Sequence, residues 1–328
     1  MIDISQLTFR GFQRDSDFPK MVVLLHDIFM VDQMSLVKTV EELERDYQKL
    51  TNCIPEKDML MVDDPTGKLV AYARLTWDKE DERILFGFPY NIHPDWRIPE
   101  LQHRLLDWVE QHALEMVISA QLEGPFALRY FLANIDKDVQ LKAVLEAHQF
   151  QPVRYMNRMS RDLAEPIVVP PLPAGLETRA IEEKDIATVF WALDEAFRDH
   201  WGHTPATEEN YQQWLGFPLL KPALWQVAWD GDQVASGVLN YTDDHYNEQF
   251  GAHRGWTDPI FTRRPWRKQG LARALLMRSL QMFKDMGMTE AMLGVDTQNL
   301  SGAYRLYESC GFKSVMHSAI YDKEFTLP

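Results

Sequence analysis

Cysteine is nearly missing from this chain: two in 328 residues, Cys53 and Cys310, far apart and in no CxxC or other metal-ligand spacing. That excludes a disulfide scaffold and fits a reducing compartment. Positive charge is scarce as well. The chain carries 34 lysines and arginines against 49 aspartates and glutamates, a formal charge of −15, which argues against a general binder of nucleic acid or of an anionic membrane surface. Long apolar runs are also lacking. The most apolar early stretch, MVVLLHDIFMV from Met21, is too short to span a bilayer and is broken by His26 and Asp27. No basic start followed by an apolar core marks a leader. The expectation is a cytoplasmic protein, monomer or homodimer, with neither nucleic acid nor membrane as a partner.

Proline, by contrast, is concentrated. EPIVVPPLPAG, residues 165 to 175, holds four prolines, and proline fixes φ and removes an amide donor, so this segment reads as a stiff connector. The sequences on its two sides resemble each other in order. LTFRGFQRDSDF from Leu7 pairs with LETRAIEEKDI from Leu176, and MLMVDDPTGKLVAYARL with LWQVAWDGDQVASGVLNY. HPDWRIPELQHRLL pairs with RRPWRKQGLARALL, and LEAHQFQPVRYM with YESCGFKSVMHS. Four ordered matches at nearly constant offset indicate a duplicated domain. The expected division is residues 1–165, a linker over 166–175, and residues 176–328. In the second half, periodicity predicts helices over 184–200, 207–216, 269–286 and 300–310. Strands are predicted over 176–180, 224–230, 233–241, 255–262, 290–295 and 313–322. The fold class is α/β (α+β): two tandem domains, each a mixed, mostly antiparallel sheet flanked by helices.

The scarce cations gather in one place. TRRPWRKQGLARALL, residues 262 to 276, sets Arg263, Arg264, Arg267, Lys268 and Arg273 around Gly270, between a strand and an amphipathic helix. A glycine there lets an anion approach the backbone, and the open amides and dipole of a helix's first turn favour negative charge. The stretch has neither the GK[ST] of a P-loop nor a GxGxxG. It reads as a pyrophosphate cradle.

RKQGLA in this setting, with GWTDPIFT before it and GVDTQNLSGAYRLYESCGF after it, resembles the R/Q-x-x-G-x-G/A acyl-CoA motif of the GNAT N-acetyltransferase superfamily. Through the duplication, the whole chain resembles that family's tandem members. The resemblance implies acetyl-CoA as cosubstrate and no metal. It implies that the backbone of Ile260, Phe261 and Thr262 holds the pantetheine arm. Arg267, Lys268, Gln269, Gly270, Leu271, Ala272 and Arg273 would grip the pyrophosphate, with Asn299 beside the pantetheine. Tyr307 would be the general acid toward the leaving thiolate, with Tyr304 as competitor because NLSGAYRLY is one residue longer than the family spacing. A protonated phenol suits that role, as an attacking amine needs a base and a departing thiolate a proton donor.

Family members often place a base on the fourth or fifth strand. The fifth-strand position here is Gly294; on the fourth, Asp258 shares a face with Ile260 and Thr262 by alternation and is the carboxylate candidate. A turn-forming or salt-bridged Asp before Pro259 is the competing reading. Asp296, Glu248 and His253 are weaker alternatives. Trp201, Tyr211, Trp214, Asp199, Glu208 and Glu209 are candidates for an acceptor pocket, with Thr207 alternatively a plain helix cap. His200 and His203 lack a third metal ligand. In the first half Glu100 replaces Gly270, Pro99 replaces Gln269 and Leu145 replaces Tyr307, so that domain is expected to have lost cofactor binding. The resulting expectation is an acetyl-CoA-dependent N-acetyltransferase acting on a small amine, with its site in the second domain. A CoA-binding sensor without turnover, or transfer to a sugar amine, are the alternatives.

Overall fold

The computed structural model describes residues 3–34, 39–80, 82–298 and 302–327. Two compact units are present: Met1–Arg154 with Ser318–Pro328, and Tyr155–His317.

The first unit runs β1 (Thr8–Gly11), α1 (Arg14–Asp32), α2 (Val40–Gln48), α3 (Pro55–Asp58), β2 (Met59–Asp63), β3 (Leu69–Arg74), β4 (Thr76–Glu80), β5 (Arg83–Gly87), β6 (Tyr90–Ile92), α4 (Pro99–Ser119), β7 (Phe126–Leu132), α5 (Val139–Ala147) and the start of β8 (Gln151–Asp162). The second runs β9 (Glu177–Thr178), α6 (Ile186–Phe197), α7 (Glu208–Leu215), β10 (Gln226–Asp230), β11 (Gln233–Tyr241), α8 (Asp244–Phe250), β12 (Arg254–Thr262), α9 (Leu271–Asp285), β13 (Glu290–Asp296), α10 (Ala303–Ser309) and the start of β14 (Lys313–Phe325). Within each unit the strands pair mainly antiparallel, with one parallel pair in each unit, β5 on β7 in the first and β12 on β13 in the second. No helix among the described residues is long and apolar enough to cross a membrane.

The units differ from the halves 1–165 and 176–328 at their last strands. Residues 156–162 of β8 pair antiparallel with β13, from Met156↔Asp296 to Asp162↔Glu290, and so belong to the second unit. Residues 319–325 of β14 pair with β7, from Ala319↔Leu132 to Phe325↔Phe126, and belong to the first. The reason is hydrogen bonding. The open edges of β13 and β7 are closed by whichever strand lies alongside, and sequence similarity between halves carries no information about that choice. The proline segment is unstructured from residue 166 to 173 and lies in the second unit, where Ile167 and Leu172 pack on apolar clusters.

Two pairs of contacts recur at matching positions. Arg10 binds Asp17 as Arg179 binds Asp185. Arg97 donates to the carbonyl of Ile92 and pairs with Asp32 just as Arg267 donates to the carbonyl of Thr262 and pairs with Asp199. Each joins a strand or its following loop to the first helix of its own unit.

The second unit's sheet is buried on both faces at its centre. All of β11 from Val234 to Asn240 is buried, and its polar side chains are bonded except at Asn240 Oδ1, which has no partner among the described residues. Ser236 Oγ donates to the Phe261 carbonyl at 2.6 Å, and Asn240 Nδ2 donates to the Leu224 carbonyl at 2.8 Å and to Ser279 Oγ at 2.9 Å. Helix α9 lays Leu271, Ala274, Leu275, Leu280 and Phe283 on one face of that sheet, at helical spacing. The short α8 was not among the predicted helices. Its signals are the Asp243 cap, accepting from the Tyr246 amide, and Gly251 in the left-handed conformation at its end.

Gly255 in β12 lies so close to α9 that a Cβ would sit 2.6 Å from the fully buried Phe283 ring. Gly255→Ala is therefore expected to destabilise the second unit by about 1–3 kcal/mol through overpacking. A thermal melt at the wild-type Tm would contradict this close packing.

Candidate active site

The site is built on the boundary between β12 and β13. The two strands pair from Arg254↔Glu290 to Trp256↔Met292 and then part, while β12 continues along β11 to Thr262. Where they part, the β12 register slips between Thr257 and Ile260 opposite Val238 and Asn240, a bulge of the kind that redirects side chains. Two β12 side chains take over the lost ladder. Thr257 Oγ1 donates to the Met292 carbonyl at 3.1 Å, and Asp258 Oδ2 accepts from the Gly294 amide at 3.3 Å. Gly294 leaves room for this carboxylate, since a Cβ there would lie 3.3 Å from Asp258 Oδ2.

Beyond the bulge, antiparallel pairing alternates which residues face β11. Arg263 N–H donates to Ala235 O, so Phe261 also points its backbone to β11, and its ring is buried against Gly237. Ile260 and Thr262 turn their backbone groups to the open side. There the Thr262 carbonyl is already taken by Arg267 Nε at 3.0 Å.

Burial pushes the Asp258 carboxyl up to about 6, against a lowering by the Gly294 amide. No cation opposes that shift. Tyr307, from α10, is buried in the cluster containing Leu293, Val295 and Phe312. Its phenol is raised well above the ordinary value by burial first and by the Asp258 charge second. Each group is therefore held toward its protonated form, and the two lie within each other's field. No hydrogen bond among the described residues engages the Tyr307 hydroxyl. Tyr304 packs on the rim of the same cluster.

The basic turn is less free than its composition implies. Arg263 pairs with Glu195 at 2.7 Å, Arg264 with Asp199, and Arg267 with Asp199 at 3.0 Å and with the Ala196 carbonyl at 3.0 Å. Arg264 first, then Arg267, hold Asp199 down at about 2. These three arginines brace the turn against α6. What stays open is backbone. Lys268 and Gly270 both have positive φ, 63° and 78°, and among the described residues no hydrogen bond engages the N–H groups of Lys268, Gln269, Gly270, Leu271, Ala272 or Arg273. Those amides open onto the first turn of a 15-residue helix. Nothing lies within 4 Å of where a Gly270 Cβ would be, so a large anion has access. Exposed Lys268 adds charge, as does Arg273, which donates only to the neutral Ser309 at 2.7 Å. The structure thus fits a diphosphate through amides and two cations.

The first unit's equivalent is closed. Pro99 supplies no amide at the first helical position, and Glu100 places a carboxylate in that turn. Gln140 donates to the Arg97 carbonyl at 2.8 Å, beside that turn. Leu145 is fully buried in the core.

The remaining candidates scatter. Trp214 packs on Trp225, Phe190 and Tyr211 at centroid distances of 5.5, 5.1 and 6.5 Å, in a cluster separate from that of Tyr307. Thr207 caps α7 reciprocally with Asn210, and Glu208 and Glu209 accept from Gln212 and Gln213. Trp201 is exposed. His200 stacks on Phe197, and His203 lies 3.5 Å from Asp194. Glu248 and His253 are exposed, and Asp296 caps its own turn through the Gln298 amide. Asn299 lies outside the described residues. Sequence reasoning missed three groups at the parted strands: Trp256, Tyr241 stacked on it at 5.8 Å with parallel planes, and Arg158. Arg158 arrives on a strand from the other sequence half, so spacing along the chain gave no signal for it.

Residues 186–312 match the acetyltransferase (GNAT) family. The chain is 24% identical over 330 residues to a mycothiol acetyltransferase of Thermobifida fusca, covering 92% of this chain and 98% of that one. Among solved structures, the GCN5-related N-acetyltransferase from Sphaerobacter thermophilus superposes with a TM-score of 0.68 at 24% identity, covering 97% and 96% of the two chains. A tandem GNAT protein from the clavulanic acid biosynthesis pathway gives 0.65 at 13% identity over 97% and 98%.

A carboxyl raised from 3.8 to about 6 is more easily ionised in the unfolded chain. Its ionisation opposes folding as pH rises through that window, and the penalty is complete above 6 and absent below 3.8. Asp258→Asn, which still accepts from the Gly294 amide, should raise stability by about 1–3 kcal/mol at pH 7.5 and leave it unaltered near pH 3.5. Chemical denaturation at the two pH values measures this; an equal effect at both would place the Asp258 carboxyl at its ordinary value.

Proposed function

We propose that this chain, whose residues 186–312 belong to the GNAT acetyltransferase family, transfers an acetyl group from acetyl-CoA to the primary amine of a small molecule at one site in its second unit. The observation that supports this most strongly is the joint placement of Asp258 and Tyr307 where β12 leaves β13, with the unbonded amides of 268–273 at the far end of the same strand. From Asp258 to Thr262 the strand advances about 12 Å, enough for an extended pantetheine arm to lie along the open backbone of Ile260 and Thr262.

The residues divide the work. The amides of Lys268 to Arg273 bind the diphosphate. An N–H of the open β12 edge polarises the thioester carbonyl and stabilises the tetrahedral oxyanion. Asp258, ionised above about pH 6, takes the proton that the amine must lose. Tyr307, which stays a phenol at neutral pH, gives its proton to the departing thiolate. One proton is accepted and one donated, and the thioester bond is exchanged for an amide. A second reading, favoured by the near full-length similarity to a mycothiol acetyltransferase, has the amine on a mycothiol-type acceptor.

Release of free CoA thiol, followed with acetyl-CoA and a panel of amines, tests the activity itself; a protein that binds acetyl-CoA and turns over no amine is a sensor, not an enzyme. Calorimetry with acetyl-CoA should give about one site per chain, reduced to none in Gly270→Glu, and two equivalent sites would contradict the closed first unit.

Tyr307→Phe keeps the ring in its cluster and removes only the hydroxyl. Acetyl-CoA should still bind, and kcat should fall by about 10²–10⁴-fold. An unchanged kcat would make the ring merely a core residue and move attention to Tyr304.

A further inference from the structure

Arg158 stands on β8 opposite Gly294 of β13, and Gly294 in turn donates its amide to Asp258 of β12. Three adjacent strands therefore set Asp258, Gly294 and Arg158 in one row, and the middle residue has no side chain to fill it. Two strand spacings separate the ends, about 10 Å. The Arg158 guanidinium lies over the Trp256 ring, 5.3 Å from its centroid, and Trp256 is itself stacked on Tyr241. A flat aromatic pair thus holds the cation in place.

Six other arginines of this unit sit against carboxylates: Arg161 on Glu165, Arg179 on Asp185, Arg254 on Glu290, Arg263 on Glu195, and Arg264 and Arg267 on Asp199, whereas Arg273 bonds Ser309 and Arg278 Nε is buried without a partner. Arg158 is half-buried, yet no carboxylate pairs with it and no hydrogen bond engages it among the described residues. Burial first, then repulsion from Arg254, work against its charge. A desolvated cation without an anion is costly and is tolerated where a ligand supplies the anion.

We propose that the acceptor amine carries a carboxylate, and that Arg158 binds this carboxylate while Asp258 faces the amine. The inference rests on the acetyltransferase reading above and narrows its acceptor to amino-acid-like zwitterions. The fork of a guanidinium matches a carboxylate with two parallel hydrogen bonds. The carbon skeleton would run from the Asp258 carboxylate, which lies over Gly294, toward Arg158, with the Trp256 and Tyr241 rings as one wall.

The test compares matched acceptors that differ only in that charge: glycine with glycinamide, β-alanine with β-alaninamide, and L-phenylalanine with L-phenylalaninamide. CoA release is followed at fixed acetyl-CoA. At least one of the three acids should have kcat/KM about tenfold or more above that of its amide. In Arg158→Gln that preference should collapse by about tenfold or more, carried by KM with kcat for the acid kept within about threefold, and Arg158→Lys should restore part of it. Retained acetyl-CoA binding certifies that the variants fold. If amides are used as well as their acids throughout, or if Arg158→Gln slows acid and amide alike, the carboxylate assignment is overturned. Absence of turnover with every amine, acid or amide, would instead remove the acetyltransferase reading, and the acceptor inference with it.

Discussion

Two parallel strands that separate must leave backbone donors and acceptors without partners, and in this protein β12 and β13 separate immediately after Trp256 and Met292. A buried backbone group left unpaired costs as much as a lost hydrogen bond or more, so the separation has to be compensated. Thr257 and Asp258 do this on one side by reaching across to Met292 and Gly294. Further along β12, the edge of Ile260 and Thr262 stays open except at the Thr262 carbonyl, which Arg267 occupies, and the open groups are tolerable only if solvent or a ligand completes them. The same separation draws a carboxylate between strands, away from solvent, and that desolvation raises its pKa into the range useful to a base near neutral pH. The open edge, the desolvated carboxylate and the row across Gly294 are consequences of one topological feature.

Duplication shows which parts of the fold are structural and which are specific to the site. The brace from the loop arginine to the end of the first helix is present in both units, as Arg97 to Asp32 and Arg267 to Asp199. It persists where the cradle is closed by Pro99 and Glu100. Holding the loop against its helix is therefore a service to the fold, and the guanidinium of Arg267 is committed to it. The open amides, Gly270 and a charged Lys268 distinguish the second unit. A motif written as R-x-x-G-x-A thus joins two jobs: its arginine secures the turn and its glycine leaves the amides of the helix's first turn accessible.

Much of this was legible in the sequence, and the reasons are local. Amphipathic spacing in α9, the strand composition of β10 to β13 and the glycine before a helix are encoded within short windows, so the element order and the open turn before α9 could be read directly. The repeated arrangement was visible because duplicated segments kept their order. The exchanged strands were not legible, since pairing of residues 156–162 with β13 depends on which edge is open in three dimensions. Arg158 was missed for that reason. The bulge at Asp258 was also hidden: simple alternation put Asp258, Ile260 and Thr262 on one face, whereas the slip in register sends the carboxylate toward Gly294. The aromatic run from Tyr211 to Trp214 resembled a pocket wall in composition, but composition does not separate a wall from a core. Packing on Phe190 and Trp225 leaves both rings half-buried against an apolar cluster.

Asp258 and Tyr307 illustrate how a single apolar surrounding can prepare two opposite roles. Burial destabilises the charged form of each, and each charge would further destabilise the other, so the doubly ionised site is the least favoured state. Starting values lie far apart, a carboxyl near 4 and a phenol near 10. Displacing both upward leaves a wide interval, beginning at about 6, in which the carboxylate is ionised and the phenol is not. Within that interval Asp258 can accept a proton and Tyr307 can donate one, which is the pairing the proposed transfer requires. A proton taken by Asp258 removes the negative charge that had been holding the Tyr307 proton, which makes the phenol a better donor at the moment the thiolate departs. The coupling needs no conformational change, only two titrating groups in one desolvated gap, and the parted strands provide that gap.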